Sequence, residues 1–240
     1  MYIKNKKALL LLAQLTILLS SCVKEIEPSK TIRFSVLGDS FSTFEGHVTP
    51  ESNDVWTYYE EIGVTRAEQM WWSRVAQSLG WVLEYNNSFS GSLICNFNYN
   101  NYYGPHSFLH RMDDLGNPDV ILVFGGNNEL VANIPLGEYV YDNWTDQQLC
   151  TFRPALAYLL QGLRQLYPEA EIFFMADNKT LDFYMESVHV ITDYYEVGCI
   201  DLTEIEKSWE HPNAKGMSAI ANQVVSFLRT SQMQKTSRRI

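Results

Sequence analysis

Ser40 and His211 are the residues of this 240-residue chain whose types and settings best admit covalent chemistry. Ser40 stands in Gly38-Asp39-Ser40, directly after the apolar run Phe34-Ser35-Val36-Leu37. A short run of this kind, followed at once by glycine, reads as a buried parallel strand. In open α/β sheets ligands bind in the crevice beyond the carboxyl ends of the strands, so a serine there is placed to be a nucleophile. The same three residues also favour an ordinary turn, and both readings stand at this level. A serine hydroxyl attacks poorly unless a base removes its proton. His211 follows the last strand-like run and precedes the closing helical pattern, with Pro212 and Asn213 suited to a helix start. It is either that base or a surface histidine in a helix-entry turn.

The elements that must position these two residues are legible as apolar patterns. Strand-like runs recur at 32–37, 82–85, 120–124, 171–176 and 197–202. Helical spacing appears at 67–79, ending at Gly80, and at 149–167, where Leu156, Leu159, Leu160, Leu163 and Leu166 precede Pro168. It returns at 216–228. Strands alternating with helices imply βαβ units and a parallel sheet covered on both faces. The expected fold class is therefore α/β: a three-layer α/β/α sandwich on a flavodoxin-like, five-stranded parallel sheet. Two stretches fit no regular element. Residues 96–104 are rich in amides and aromatics, and residues 43–61 follow the Ser40 turn. Each is either a binding loop or an insertion that covers the core.

Residues 1–21 read as a targeting segment. Lys4, Lys6 and Lys7 precede an apolar run at 8–19 that is too short for a convincing membrane span. It ends in Leu19-Ser20-Ser21-Cys22, which resembles a bacterial lipoprotein cleavage box with Cys22 as the lipidated first mature residue. Residues 22–30 then form a polar tether. Its Lys24-Glu25 resembles a lipoprotein surface-export signal, with Ile26 interrupting the acidic pair. The expected organisation is one domain at 31–230 and a polar tail at 231–240. The expected location is the bacterial cell envelope, on the outer membrane and held there by lipid alone.

Removing residues 1–21 leaves 15 basic and 28 acidic side chains, a net charge of −13. That balance excludes a nucleic-acid partner, whose phosphates demand cationic contacts. Cys95, Cys150 and Cys199 are widely spaced and odd in number, which suits neither a disulfide framework nor zinc-motif spacing. One disulfide among them stays open, with no pair indicated. Cys199, within Val197-Gly198-Cys199-Ile200, reads as a buried structural thiol.

Gly38-Asp39-Ser40, Asn87-Ser88-Phe89-Ser90-Gly91-Ser92, Gly126-Asn127-Asn128-Glu129 and His211-Pro212-Asn213 come in the order of the four blocks of the SGNH, or GDSL, hydrolases. The chain resembles that family from residue 32 to residue 228, and its Ser42-Thr43-Phe44-Glu45-Gly46 continuation is similar to one bacterial branch. The resemblance implies that Ser40 is the nucleophile and His211 the base. The backbone N–H groups of Ser40 and Gly91 and the side-chain amide of Asn128 would then form the oxyanion hole. A one-residue slip would put Asn127 in place of Asn128. Asp39 fixes the turn. Glu129 stands where the block usually ends in Asp. The family acid lies three residues before the histidine, and here that position is Ser208, which brings no charge. Glu206 and Glu210 are nearby candidates for the acid, or a backbone carbonyl orients the ring and leaves a Ser–His dyad.

Two functions follow. The first is a serine esterase with no metal or organic cofactor, acting on a small-molecule or glycan ester and most simply removing acetyl from carbohydrate. The second is a decayed scaffold of the same fold, serving as a glycan-binding or structural surface lipoprotein, for which Ser208 is the motive. Oligomeric state is not encoded in any pattern here.

Overall fold

In the computed structural model, residues 30–56, 62–97 and 106–237 are described. The targeting segment with Cys22, most of the 96–104 loop and the end of the 43–61 stretch lie outside them.

All five apolar runs form strands: β1 (Arg33–Gly38), β2 (Val82–Ser88), β3 (Val120–Phe124), β4 (Glu171–Asp177) and β5 (Gly198–Leu202). They pair in parallel in the order β2-β1-β3-β4-β5, the flavodoxin-like order. Alternation then sorts each strand's side chains onto two faces. On one face Phe34, Val36, Leu122, Phe124 and Met175 pack beneath helices α1 (Trp71–Leu79) and α6 (Ala214–Ser237). Leu37, Ile121, Val123 and Phe174 meet α4 (Phe152–Leu166) and α5 (Met185–Tyr194) on the other. Short helices α2 (Phe108–Arg111) and α3 (Asn127–Val131) complete the order.

Register is what builds the site. Gly38 pairs with Ser88 on β2 and with Phe124 on β3, so the carboxyl ends of three strands are level. The turns that follow carry Ser40, Gly91 and Asn127-Asn128, and they gather at the switch point where the strand order reverses. Gly38 is required there for close approach: a Cβ on it would stand 2.6 Å from Ser88 Oγ and 2.7 Å from Ser42 Cβ.

Three differences from the sequence patterns have local causes. α5 was not apparent because Val188, Val190, Ile191 and Thr192 are β-branched and weaken the helical signal. α6 continues through the polar stretch to Ser237, since its apolar stripe only needs to cover the sheet over the first part of its length. His211 is not on a helix-entry turn. It lies on β7 (His211–Pro212), paired antiparallel with β6 (Lys207–Ser208), and Asn213 then caps α6 by accepting from the Lys215 and Gly216 N–H groups at 3.0 Å. The two-residue turn between them is Trp209-Glu210, with φ of 55° and 63°. Two left-handed residues make a type I′ hairpin, but Trp-Glu lacks the Asn-Gly signature that announces one.

Cys95 is buried, Cys150 and Cys199 are half-buried, and all three are free thiols. Cys199 is thus more open than its apolar neighbours imply. None of the described helices is long and apolar enough to cross a membrane.

Candidate active site

Ser40 is 5% exposed, two residues beyond β1. The turn beneath it is closed by its own polar atoms. Ser42 N–H donates to the Asp39 carbonyl at 3.0 Å and Thr43 Oγ1 donates to the Ser40 carbonyl at 3.2 Å. Asp39 Oδ1 accepts from Phe41 N–H at 3.0 Å, and Oδ2 accepts from Asn127 Nδ2 at 2.8 Å. Asp39 therefore joins the first block to the third and faces away from the chemistry. Burial pushes its carboxyl up to about 6, against the Phe41 and Asn127 hydrogen bonds and the pull of Arg111 and Lys207. Two tryptophans of α1 anchor the same turn: Trp71 Nε1 donates to Ser42 Oγ at 3.2 Å and Trp72 Nε1 to the Ser42 carbonyl at 3.0 Å.

His211 Nε2 lies 3.0 Å from Ser40 Oγ, although the residues are 171 positions apart. Its Nδ1 lies 3.0 Å from the Trp209 carbonyl. A carbonyl only accepts, so Nδ1 carries the proton and Nε2 is left to accept from the serine hydroxyl. The tautomer needed for a base is set by a main-chain oxygen. Burial lowers the His211 pKa from its ordinary value and the Lys207 charge adds to this, while the Trp209 bond and the Glu210 charge oppose it. The ring is held on one face by Trp56, stacked at 3.7 Å with a 6° interplanar angle, and meets Phe41 edge to face at 5.4 Å. Trp56 comes from the 43–61 stretch, which is how that irregular segment enters the site.

The candidate acids fall elsewhere. Ser208 is the cross-strand partner of His211 in the hairpin, and its Oγ lies 3.4 Å from Asn213 Nδ2. Glu206 accepts from Asn213 Nδ2 at 2.8 Å and pairs with Lys215 at 3.5 Å. Glu210 sits at the exposed hairpin tip. Lys207 turns the other way, to Asp177 Oδ2 at 2.5 Å and Thr180 Oγ1 at 2.6 Å.

The donor side of the site is built from the turns after β2 and β3. Gly91 adopts φ 73°, which favours glycine, in a turn closed by Ser92 N–H on the Phe89 carbonyl at 3.2 Å. Geometry separates the two asparagines. The Asn127 amide is buried and committed to Asp39, whereas Asn128 is half-buried and spends one of its two amide hydrogens on the Ser92 carbonyl at 2.9 Å.

Two further residues hold these turns, Arg111 without any site signal in the sequence and Glu129 with none beyond its place in a block. Arg111 is buried and donates to the Gly38 carbonyl at 3.1 Å, Ser92 Oγ at 2.9 Å, the His106 carbonyl at 2.8 Å and the Asn87 carbonyl. One guanidinium thus spans the ends of β1 and β2 and the Gly91 turn, a use its planar fork of donors suits. Glu129, fully buried, accepts from the Ile94 N–H at 2.5 Å and the Cys95 N–H at 3.3 Å. Burial pushes its carboxyl up to about 7 despite those two bonds. Arg111 sits in a four-residue helix too short to show a period. Glu129 was legible only as a block residue.

A doubly wound sheet with a serine–histidine contact at its switch point defines an α/β-sandwich hydrolase of the serine type. Comparison with known proteins makes the class specific. The family model for GDSL-like lipases and acylhydrolases matches residues 32–228, and the chain belongs to that family of ester hydrolases. It is 42% identical, over 84% of its length and 100% of the other chain, to a protein of Bacteroides ovatus ATCC 8483 described as a GDSL-like lipase, with a TM-score of 0.80. A second such protein, from Bacteroides uniformis ATCC 8492, is 40% identical with 84% and 97% coverage and a TM-score of 0.80. An acetyl xylan esterase of the rumen bacterium Butyrivibrio proteoclasticus shares the fold at 18% identity and a TM-score of 0.55, covering 86% of this chain and 65% of its own. No curated protein matches the chain.

Proposed function

We propose that the chain is a Ser–His dyad esterase that removes acyl groups, most simply acetyl, from carbohydrate at the cell surface. The observation that carries the mechanism is the 3.0 Å contact between Ser40 Oγ and His211 Nε2, with Nδ1 turned to the Trp209 carbonyl. Ser40 attacks the ester carbonyl while His211 takes its proton and returns it to the leaving alcohol. The amides of Ser40 and Gly91 and the second hydrogen of Asn128 Nδ2 receive the oxyanion. Water, deprotonated by His211, then releases the acid and restores the serine. The Trp209 carbonyl orients the ring and its dipole stabilises the imidazolium, without the full charge a carboxylate would bring.

Support for a sugar substrate is contextual. Trp209, 73% exposed, stands two residues from His211 and offers a flat apolar face of the kind that stacks on sugar rings. One relative by fold acts on acetyl xylan. Placement at the surface rests on the Leu19-Ser20-Ser21-Cys22 pattern.

The test is turnover of short-chain aryl esters and acetylated oligosaccharides by wild type and Ser40→Ala. The expected loss is on the order of 10³-fold or more. Equal background rates on every substrate would leave the decayed, glycan-binding scaffold as the better reading. Cys22→Ala is expected to release the protein from membranes, and unchanged membrane association would remove the anchor from the proposal.

A further inference from the structure

Three metal-ligand side chains converge at the outer edge of the sheet, on elements outside the Ser40 crevice. β5 is an edge strand, with β4 alone as its neighbour in the sheet. Its two-residue alternation puts Cys199 and Asp201 on one face, where α5 packs and presents His189. His189 Nε2 lies 3.0 and 3.1 Å from the two Asp201 oxygens, and Cys199 Sγ lies 3.4 Å from Asp201 Oδ1. The ligand atoms of all three residues fall within 4.8 Å of one another. Tetrahedral zinc, with bonds of about 2.0–2.3 Å, sets its ligand atoms roughly 3.3–3.6 Å apart. The observed separations need only small rotamer adjustments to meet that geometry.

We infer that His189, Cys199 and Asp201 form a zinc site, with solvent as the fourth ligand. A surface His–Asp pair would use two of these side chains. The thiol directed at the same carboxylate oxygen supplies the third ligand and selects the metal. Thiolate and imidazole favour zinc-like ions over magnesium or calcium, which take oxygen donors. One thiolate and one carboxylate balance the charge of a divalent ion. Coordination breaks the Cys199 S–H bond as the S–Zn bond forms; the proton passes to solvent and the metal stays divalent. Access is open, because His189 and Asp201 are exposed and Cys199 is half-buried on an edge strand. The spacing of 189, 199 and 201 matches no zinc motif, because a helix and an edge strand supply the ligands. Zinc here links β5 to α5 and keeps one open, solvent-filled position, on elements separate from those of ester hydrolysis.

The full chain, freed of metal by a chelator, would be titrated with Zn²⁺ against a chromophoric competitor and, separately, with Co²⁺ as a spectroscopic probe. Expected are one zinc per chain, a thiolate-to-cobalt charge-transfer band, and a zinc-dependent rise in melting temperature of roughly 5–10 °C at 100 times Kd. Cys199→Ser should abolish the band, and Cys199→Ser and His189→Ala should each weaken zinc binding at least about tenfold, the least that losing even an outer-shell partner costs a metal site. Cys150→Ser should change neither, and ester hydrolysis should be equal in all three variants. No saturable binding below about 100 μM, a level far weaker than structural zinc sites show, would overturn the assignment. So would a band that survives Cys199→Ser or disappears in Cys150→Ser. If Cys199→Ser does not fold, the exposed His189→Ala carries the test alone, and undiminished zinc affinity in it refutes the site.

Discussion

The two halves of the Ser–His pair are held by different kinds of structure. The Ser40 turn is buried and over-determined: Asp39, Asn127, Arg111 and the tryptophans of α1 tie it to β2, β3 and the Gly91 turn through side-chain hydrogen bonds. His211 rides on a hairpin of two residues per strand, with a left-handed, non-glycine turn and an exposed tip. Among its supports are a main-chain carbonyl, a stacked indole and the edge of Phe41. Buried hydrogen bonds fix a position and are costly to break. Stacking and a carbonyl dipole orient a ring without charge. The Ser40 turn is thus built into the stability of the domain, and His211 is a lighter addition that can be altered with the core left standing.

Arg111→Met breaks the comparison hardest. It removes four hydrogen-bonded links, leaves their buried carbonyls and Ser92 Oγ without a donor, and takes one of two nearby cations from the buried Asp39 carboxyl, so equilibrium unfolding should show a loss of about 3–5 kcal/mol. A loss under about 1 kcal/mol, the scale of surface changes, would mean that the Ser40 turn is not held from within.

Glu129→Gln tests the same buried layer through pH. The Glu129 carboxyl is pushed from 4.5 to about 7 by burial. Its folded pKa is raised, so its contribution to stability is fully present below the unfolded value and is lost as pH rises through 7. Stability of wild type minus that of the variant should fall between pH 4.5 and 8, by about 3 kcal/mol at most. Denaturant midpoints at a series of pH values measure it; a flat difference would show that burial does not strain this group.

Trp56→Ala addresses the base. Losing the stacked indole should lower kcat/KM about fivefold, the equivalent of about 1 kcal/mol of aromatic contact, with little change in melting temperature. An equal fall in stability would mean that Trp56 serves the fold and not the imidazole. The smallest effects belong to Glu206→Gln and Glu210→Gln, which should each leave kcat/KM within about twofold, since exposed charges that do not hydrogen-bond the ring contribute little. A tenfold loss in either would replace the Trp209 carbonyl with a carboxylate as the support of His211.

Much of this was legible in the chain. The five strands were marked by apolar runs bounded by turn residues, and four blocks in order located Ser40, Gly91, Asn128 and His211 before any contact was known. The hairpin of His211 was not legible, because Trp209 and Glu210 have no preference for left-handed backbone. α5 was missed because β-branched residues blur a helical period. Arg111 carries no mark in the sequence, and its burial is a property of the layers that close over it.

By itself, then, the sequence determined the α/β class and the placement of Ser40 at a strand end, since periodicity and turn chemistry are local properties written in residue type; the pairing of His211 with Ser40 was implied only by the order of the four family blocks. Only the tertiary structure decided what supports the histidine and what holds the serine. A backbone carbonyl is present at every residue and carries no mark of its use. The ligand set His189, Cys199 and Asp201 is of the same kind, because a helix and an edge strand must pack before three separated side chains can share one point.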